Sequence, residues 1–340
     1  NRIETGEPYI MFEDTVNDAL PEFQKDLGLR VNHSNLCSEI TLPTNDDRTA
    51  VCCLSSVNLE KFDEWQDNEY FIPDLIRFLD NVLTYFIENA PDSLEKAKYS
   101  AMRERSIGLG AMGFHAYLQK KNIAFESMWS QSTNYTMFRH IKEQAQFETE
   151  ELAKERGACP DDDGGTVRNA HLLAIAPNAS SSIICGNTSP SIEPFRANAF
   201  TQKTKTGSSL LKNKYLEQLL DKKGKNTDEI WKSITTNHGS VQHLDFLSEH
   251  EKGVFATAVE IDQRWVIQLA SMRQEFICQS QSCNVFFPAD VSKQELHNVH
   301  MMAWKKGMKT LYYLRSEAIK RADTVSDKKL REYIFDYQEE

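Results

Sequence analysis

The sequence predicts an α/β fold, and three observations carry that reading. Five short apolar runs, AVCCLSSVNL, SIGLGAM, HLLAIAP, SCNVFF and KTLYYLR, have strand length. They alternate with longer stretches of helical period, the pattern of helices covering a mostly buried sheet. The chain has 340 residues, 40% hydrophobic and 26% charged, enough to build a full core as one large domain or two ordinary ones.

In chain order, FIPDLIRFLDNVLTYFIENAP reads as a helix, with Pro73 in its first turn and Pro91 just beyond its end. Leu75, Leu79, Val82, Leu83 and Phe86 form its expected apolar face. NYTMFRHIKEQAQFETEELAKERG reads as a longer helix stopped by Gly157. PDDDGG, residues 160–165, is the one linker-like patch. Further helices are expected over SSLLKNKYLEQLLDKKG, TDEIWKSITTN and ATAVEIDQRWVIQLASMRQEF. SKQELHNVHMMAWKKG should open with a capping box from Ser292 to Glu295 and close at Gly307. No internal repeat or low-complexity segment interrupts this order.

Composition excludes several function classes. With 50 acidic against 39 basic residues the formal charge is −11, which disfavours a protein that grips nucleic acid by bulk electrostatics. No apolar run reaches the roughly 18 residues a membrane span requires. The opening NRIETGEPYI has no secretory-leader pattern and reads as mid-protein sequence. Seven cysteines at irregular spacings do not form a secreted disulfide framework, so reduced thiols and a cytoplasmic location are expected. No CxxC pair and no Cys/His set has zinc spacing, so no metal site is expected.

Several motifs have both a functional and a plain reading. GLGAMG, Gly108 to Gly113, fits the dinucleotide fingerprint in letters. The polar KYSAMRER before it is no buried strand, and no acid sits at a strand end about 20 residues on, so the glycines read as close packing of a strand and the following helix. His297 and His300 share a helix face but lack a third ligand, and Cys278 and Cys283 read as structural. In AIAPNASSSIICGN an apolar strand runs into small polar residues. Such a turn can hold a phosphate on backbone N–H groups and hydroxyls, or can be a Ser-rich turn with a helix N-cap. Adjacent Tyr312 and Tyr313 would face opposite sides of a regular strand. In NHSNLCSEITLPT, extended backbone would put Asn35, Cys37 and Glu39 on one face, either as a thiol microsite or as a strand with an inert cysteine.

ETGEPYI, SNLCSEI, AVCCLSSVNL, RSIGLGAMGF, LLAIAPNASSS, SIEPF, QSQS and GMKTLYYLR together, in this order, resemble the large catalytic subunit of class I ribonucleotide reductase. The resemblance implies a ten-stranded α/β barrel, of which this chain supplies the finger loop (about residues 30–45) and the second half. It implies that Cys37 becomes a thiyl radical that takes hydrogen from C3′ of the ribose, that Glu39 is the base for the 3′-OH, and that Asn35 hydrogen-bonds the substrate hydroxyls. Abstraction needs an oxidisable thiol, while deprotonating the 3′-OH eases loss of its neighbour as water.

By the same resemblance, Leu36 and Ser38 join Asn35, Cys37 and Glu39 as substrate-contacting residues, and Pro177, Asn178, Ala179, Ser180 and Ser181 form the diphosphate loop. Cys52, not Cys53, is the implied member of the reducing cysteine pair. Tyr312 and Tyr313, on a strand at about 308–315, are the implied radical relay, with Tyr312 nearer Cys37; stacked rings there demand a distorted strand.

No cofactor is expected on this chain itself. The family's tyrosyl radical and di-iron centre belong to a small subunit, and its nucleotide effector sites, first half-barrel and second reducing cysteine belong to an N-terminal part with no counterpart here. A separate N-terminal polypeptide, the small subunit, a dimer of large subunits, and thioredoxin or glutaredoxin as reductant are the implied partners. REYIFDYQEE lacks the family's C-terminal cysteine pair, and residues 161–167 replace a much longer family segment. That shortening suggests a second reading, a noncatalytic remnant serving as an interaction module. A third, a cysteine hydrolase, needs a histidine beside Cys37, and His33 is the sole local candidate.

Overall fold

The computed structural model describes residues 2–204 and 207–316. Its strands are β1 (Ile10–Met11), β2 (Cys53–Asn58), β3 (Ile107–Met112), β4 (Ala199–Thr204), β5 (Gly207–Lys212), β6 (Val285–Phe287), β7 (Thr310–Leu311) and β8 (Leu314–Ser316). β2 and β3 run parallel, in register from Cys53 with Ile107 to Asn58 with Met112. Parallel bridges from Leu109 to Leu173 and from Ile175 to Gln281 carry the order onward, and β6 lies parallel to β8. The result is an arc of parallel segments with β1 antiparallel to β7 at its far end. The fold is α/β, as the sequence predicts. Among the described residues the arc does not close into a ten-stranded barrel.

The arc is tight because its residues are small where strands meet. A Cβ on Gly108 would stand 2.4 Å from Leu54 Cδ2 and 2.9 Å from Cys52 Sγ, and one on Gly110 would stand 2.5 Å from the Ala174 carbonyl oxygen. These glycines serve strand-to-strand approach rather than the strand-to-helix packing expected. The segment before them is the helix Glu95–Glu104, in keeping with its polarity.

The helix Phe71–Asn89 covers β2 and β3 with Ile72, Ile76, Leu79 and Leu83. Val82, expected on that face, is 37% exposed, because the stripe that meets the strands follows the steps from 72 to 76, 79 and 83. Its place in the interior is taken by Asp80, whose carboxylate receives Arg105 Nη2 at 2.7 Å, Arg156 Nη1 at 3.0 Å and Asn169 Nδ2 at 3.2 Å. The long helix Met128–Arg156 lies on this one and ends at Gly157, whose φ of +84° suits a residue without a Cβ.

Other boundaries depart from the periodicity. The expected helix from Ser208 begins at Lys214, where the Asn213 side chain accepts the Tyr215 and Leu216 N–H groups; β5 precedes it, paired in a hairpin with β4. The helix expected from Ala256 begins at Gln263, capped by Asp262. The Ser292 hydroxyl accepts the Glu295 N–H at 3.1 Å, the N-cap half of the expected box, while a complete capping box closes Ser248 to Glu251.

The PDDDGG patch is a braced turn, not a linker. Asp161 is buried between Arg48 (2.5 Å) and Arg103 (2.8 Å). Asp162 Oδ2 accepts the Thr166 N–H at 2.6 Å, its hydroxyl at 2.8 Å and the Val167 N–H at 2.8 Å. The shortened segment is therefore closed by its own hydrogen bonds. No helix among the described residues is long and apolar enough to cross a membrane. REYIFDYQEE lies outside the described residues.

Candidate active site

The stretch around Cys37 is a loop with a turn at its tip. Its base is tied where Thr44 N donates to Arg30 O at 3.2 Å and Asn32 Nδ2 donates to Thr44 O at 2.9 Å. Near the tip, Ser38 N donates to Asn35 O at 3.1 Å and Ile40 N donates to Asn35 Oδ1 at 3.0 Å. Ser38 has a φ of +67°, so the alternation of Asn35, Cys37 and Glu39 on one strand face does not form. The turn leaves Leu36 80% exposed and buries Ser38 and Glu39. The Asn35 oxygen is spent on the turn itself, and only its amide nitrogen remains to donate.

The loop is held by the QSQS segment and the strand after it. Ser280 N donates to Glu39 O at 2.9 Å, and the Ser282 hydroxyl lies 2.6 Å from Cys37 O and 3.1 Å from Glu39 Oε2. Thr310 Oγ1 reaches Ser38 O at 2.9 Å. QSQS entered the sequence reading only as a matching segment, and Ser282 was given no role there. Its position beside the loop depends on a contact between residues 245 apart in the chain.

The same segment reaches Cys52, where Gln279 Nε2 donates to Sγ at 3.4 Å and to Ile107 O at 3.0 Å. Burial pushes the Cys52 thiol well above its ordinary range, so it is protonated at rest. Cys278 holds the neighbouring strand by accepting N–H groups from Leu172 (3.0 Å) and Leu173 (3.2 Å). Among the described residues no hydrogen bond joins His33 to Cys37. His300 is engaged by Arg2 Nε at 3.1 Å and by Leu296 O at 2.7 Å.

Tyr312 donates its hydroxyl to Cys37 Sγ at 3.6 Å, and its ring centroid lies 4.4 Å from that of Tyr313, tilted by 57°. Regular pleating would separate these rings. The strand is broken between β7 and β8 at these two residues, where Tyr313 N donates to the Asn284 side chain at 3.1 Å. Burial and the Cys37 contact raise the Tyr312 phenol far above its ordinary range. A third ring joins them: Tyr9 lies 4.7 Å from Tyr312 and 4.9 Å from Tyr313. Sequence reasoning missed Tyr9, since only the pairing of β1 with β7 brings it there.

Pro177 to Ser181 lie at the end of the arc's third segment. Asn178 is left-handed (φ +52°) and does not cap the helix Ala179–Ile184 with its side chain. Its amide instead reaches Ser56 Oγ at 3.0 Å and Ala176 O at 3.1 Å, tying the turn to β2. Ala179, Ser180 and Ser181 are exposed, with the first N–H groups of the helix still unpaired by its own carbonyls.

An arc of parallel strands holding a pinned cysteine loop, with a tyrosine stack in contact with the thiol, defines the class: an α/β half-barrel with one cysteine loop set against a pair of stacked phenols. The chain belongs to the ribonucleotide reductase family, whose barrel-domain model matches residues 1–164 and 163–314, two segments that meet at the shortened turn. It is 50% identical over 327 residues to the ribonucleoside-diphosphate reductase large subunit of Invertebrate iridescent virus 3, covering 95% of this chain and 52% of that protein. The large subunit of Invertebrate iridescent virus 6 is 52% identical over 294 residues, 85% of this chain and 31% of that protein. Among solved structures, the Actinobacillus ureae class Id ribonucleotide reductase alpha subunit superposes with a TM-score of 0.87 at 43% identity, over 93% of this chain and 59% of that one. The chain thus spans about half or less of the curated relatives it matches.

Proposed function

We propose that this chain forms the C-terminal part of the barrel of a class I ribonucleotide reductase large subunit, reducing ribonucleoside diphosphates when the rest of the subunit is present. The observation that carries this reading is the unbroken contact from Tyr313 to Tyr312 to Cys37 Sγ. In the proposed sequence Tyr312, made a phenoxyl radical by passing its hydrogen atom to the Tyr313 phenoxyl, takes a hydrogen atom from the Cys37 thiol and becomes a phenol again. The resulting thiyl radical takes the C3′ hydrogen of the ribose. Glu39 accepts the 3′-OH proton, Asn35 donates to a substrate hydroxyl, and the 2′-OH leaves as water with a proton from a thiol of the reducing cysteine pair. Leu36 and Ser38 shape the loop against the sugar, and Pro177 to Ser181 receive the diphosphate.

Cys52, with a second cysteine from the remainder of the subunit, then supplies two electrons and ends as a disulfide, which thioredoxin or glutaredoxin reduces. The ten-stranded closure, nucleotide effector sites and large-subunit dimer belong in this reading to that remainder. The radical is supplied by a small subunit with its tyrosyl radical and di-iron centre, in a cytoplasmic complex. β2 supports the need for a covering partner: among the described residues it pairs only with β3, and Leu54 on it is 42% exposed.

The test is turnover of a ribonucleoside diphosphate by the reconstituted complex with and without Cys37→Ser. Loss of turnover to background in the variant, with assembly intact, is the expected result. Absence of turnover before the replacement, in an assembled complex, would instead favour a noncatalytic interaction module, the reading motivated by the shortened 161–167 turn.

A further inference from the structure

Arg315 occupies an unusual place beside the tyrosine pair. Its guanidinium carbon lies 3.8 Å from the centroid of the Tyr313 ring, the shortest cation-to-ring distance among the described residues. Among the described residues its Nε is buried without a hydrogen-bond partner and no ion pair holds the group. The nearby carboxylate, Glu193, is itself buried and accepts Asn284 Nδ2 at 2.7 Å, while Asn284 Oδ1 receives the Tyr313 N–H at 3.1 Å. No cation lies over the Tyr312 ring among the described residues. Among the described residues, then, this guanidinium has no ion-pair partner and is set against one of the two phenols.

A cation over a phenol is attracted by the electron-rich face of the ring. Removing a hydrogen atom from that phenol leaves an electron-poor phenoxyl, and the attraction weakens. We propose that Arg315 is a positioning residue of the relay, which by stacking on Tyr313 disfavours a radical there and drives it inward to Tyr312 and Cys37. The step is a balanced hydrogen-atom transfer: one electron and one proton leave Tyr312 for the Tyr313 phenoxyl, which becomes a phenol again. The initial oxidant is the radical delivered by the small subunit. This inference rests on the radical-relay reading above.

The experiment uses the full-length large subunit with its small subunit and substrate, carrying 3,5-difluorotyrosine at position 313, whose radical is distinguished in electron paramagnetic resonance by its fluorine splitting. Arg315→Gln and the unbranched, apolar Arg315→Met, which keeps the packing of the side-chain stem, should each raise the ratio of radical at 313 to radical at 312 about tenfold, the factor that about 1.4 kcal/mol represents. Arg315→Lys, which keeps the cation, should stay within about twofold of the unsubstituted protein. An unchanged ratio in both neutral variants, in a complex that still turns over, overturns the role of Arg315 and leaves the relay standing. A complex in which radical never reaches 312 or 313, with Arg315 intact, overturns both.

Discussion

At the scale of single residues, the Cys37 loop is held by three neighbours that the local sequence does not contain, Ser282, Thr310 and Tyr312. The Ser282 hydroxyl bridges the Cys37 carbonyl and the Glu39 carboxylate, holding the two residues in one geometry. Hydrogen bonds to charged groups contribute about 1.5–3 kcal/mol. Ser282→Ala should therefore lower kcat of the assembled enzyme by roughly tenfold or more with little change in KM. Steady-state kinetics checks this, and an unchanged kcat would remove Ser282 from the machinery. Tyr312, held protonated by burial and by Cys37, has a proton to pass together with its electron. That suits exchange of a hydrogen atom with a thiol. The sequence placed Asn35, Cys37 and Glu39 in one short stretch but not their orientation. Ser38 adopts a left-handed turn because Thr310 and Ser282 hold the loop from outside.

At the scale of elements, the helix Phe71–Asn89 is joined to the strands by charge as well as by its apolar stripe. Burial pushes the Asp80 carboxyl up, but Arg105 and Arg168 outweigh it and hold it below the usual carboxylate range. The unfolded chain titrates at about 3.9, so below that value the unfolded state binds more protons than the folded one. This contribution is complete above about pH 4 and is lost as pH falls through the lower folded value. Asp80→Asn should lower stability at neutral pH by about 3–5 kcal/mol, since it strands buried arginines. It should also flatten the acid limb of the unfolding curve. Chemical denaturation followed by circular dichroism at pH 7 and between about pH 2 and 4 measures both effects. The heart of this helix was legible from its period, Val82 excepted. The β4–β5 hairpin was not, because LLK reads equally as the start of a helix and only the Asn213 cap decides where helix begins.

At the scale of the whole molecule, the open arc sets the behaviour of the chain by itself. Among the described residues β2 is paired on one side and Leu54 on it is exposed, a strand edge next to apolar surface. The chain alone should bind a hydrophobic dye and self-associate in a concentration-dependent way. On the proposed reading, adding a polypeptide that supplies the remainder of the barrel should suppress both, as read by dye fluorescence and sedimentation. A monomeric chain without dye binding would show that the arc needs no cover.

By itself the sequence determined the α/β class and the family, because apolar period and ordered short segments are local properties of a chain. Only the tertiary structure decided that the cysteine loop turns instead of extending, that PDDDGG is a braced turn, and that Tyr9, Ser282 and Arg315 stand at the site. Each of these depends on contacts with distant parts of the chain. Such contacts exist only once the strands have taken their places in the arc, and no local pattern encodes them.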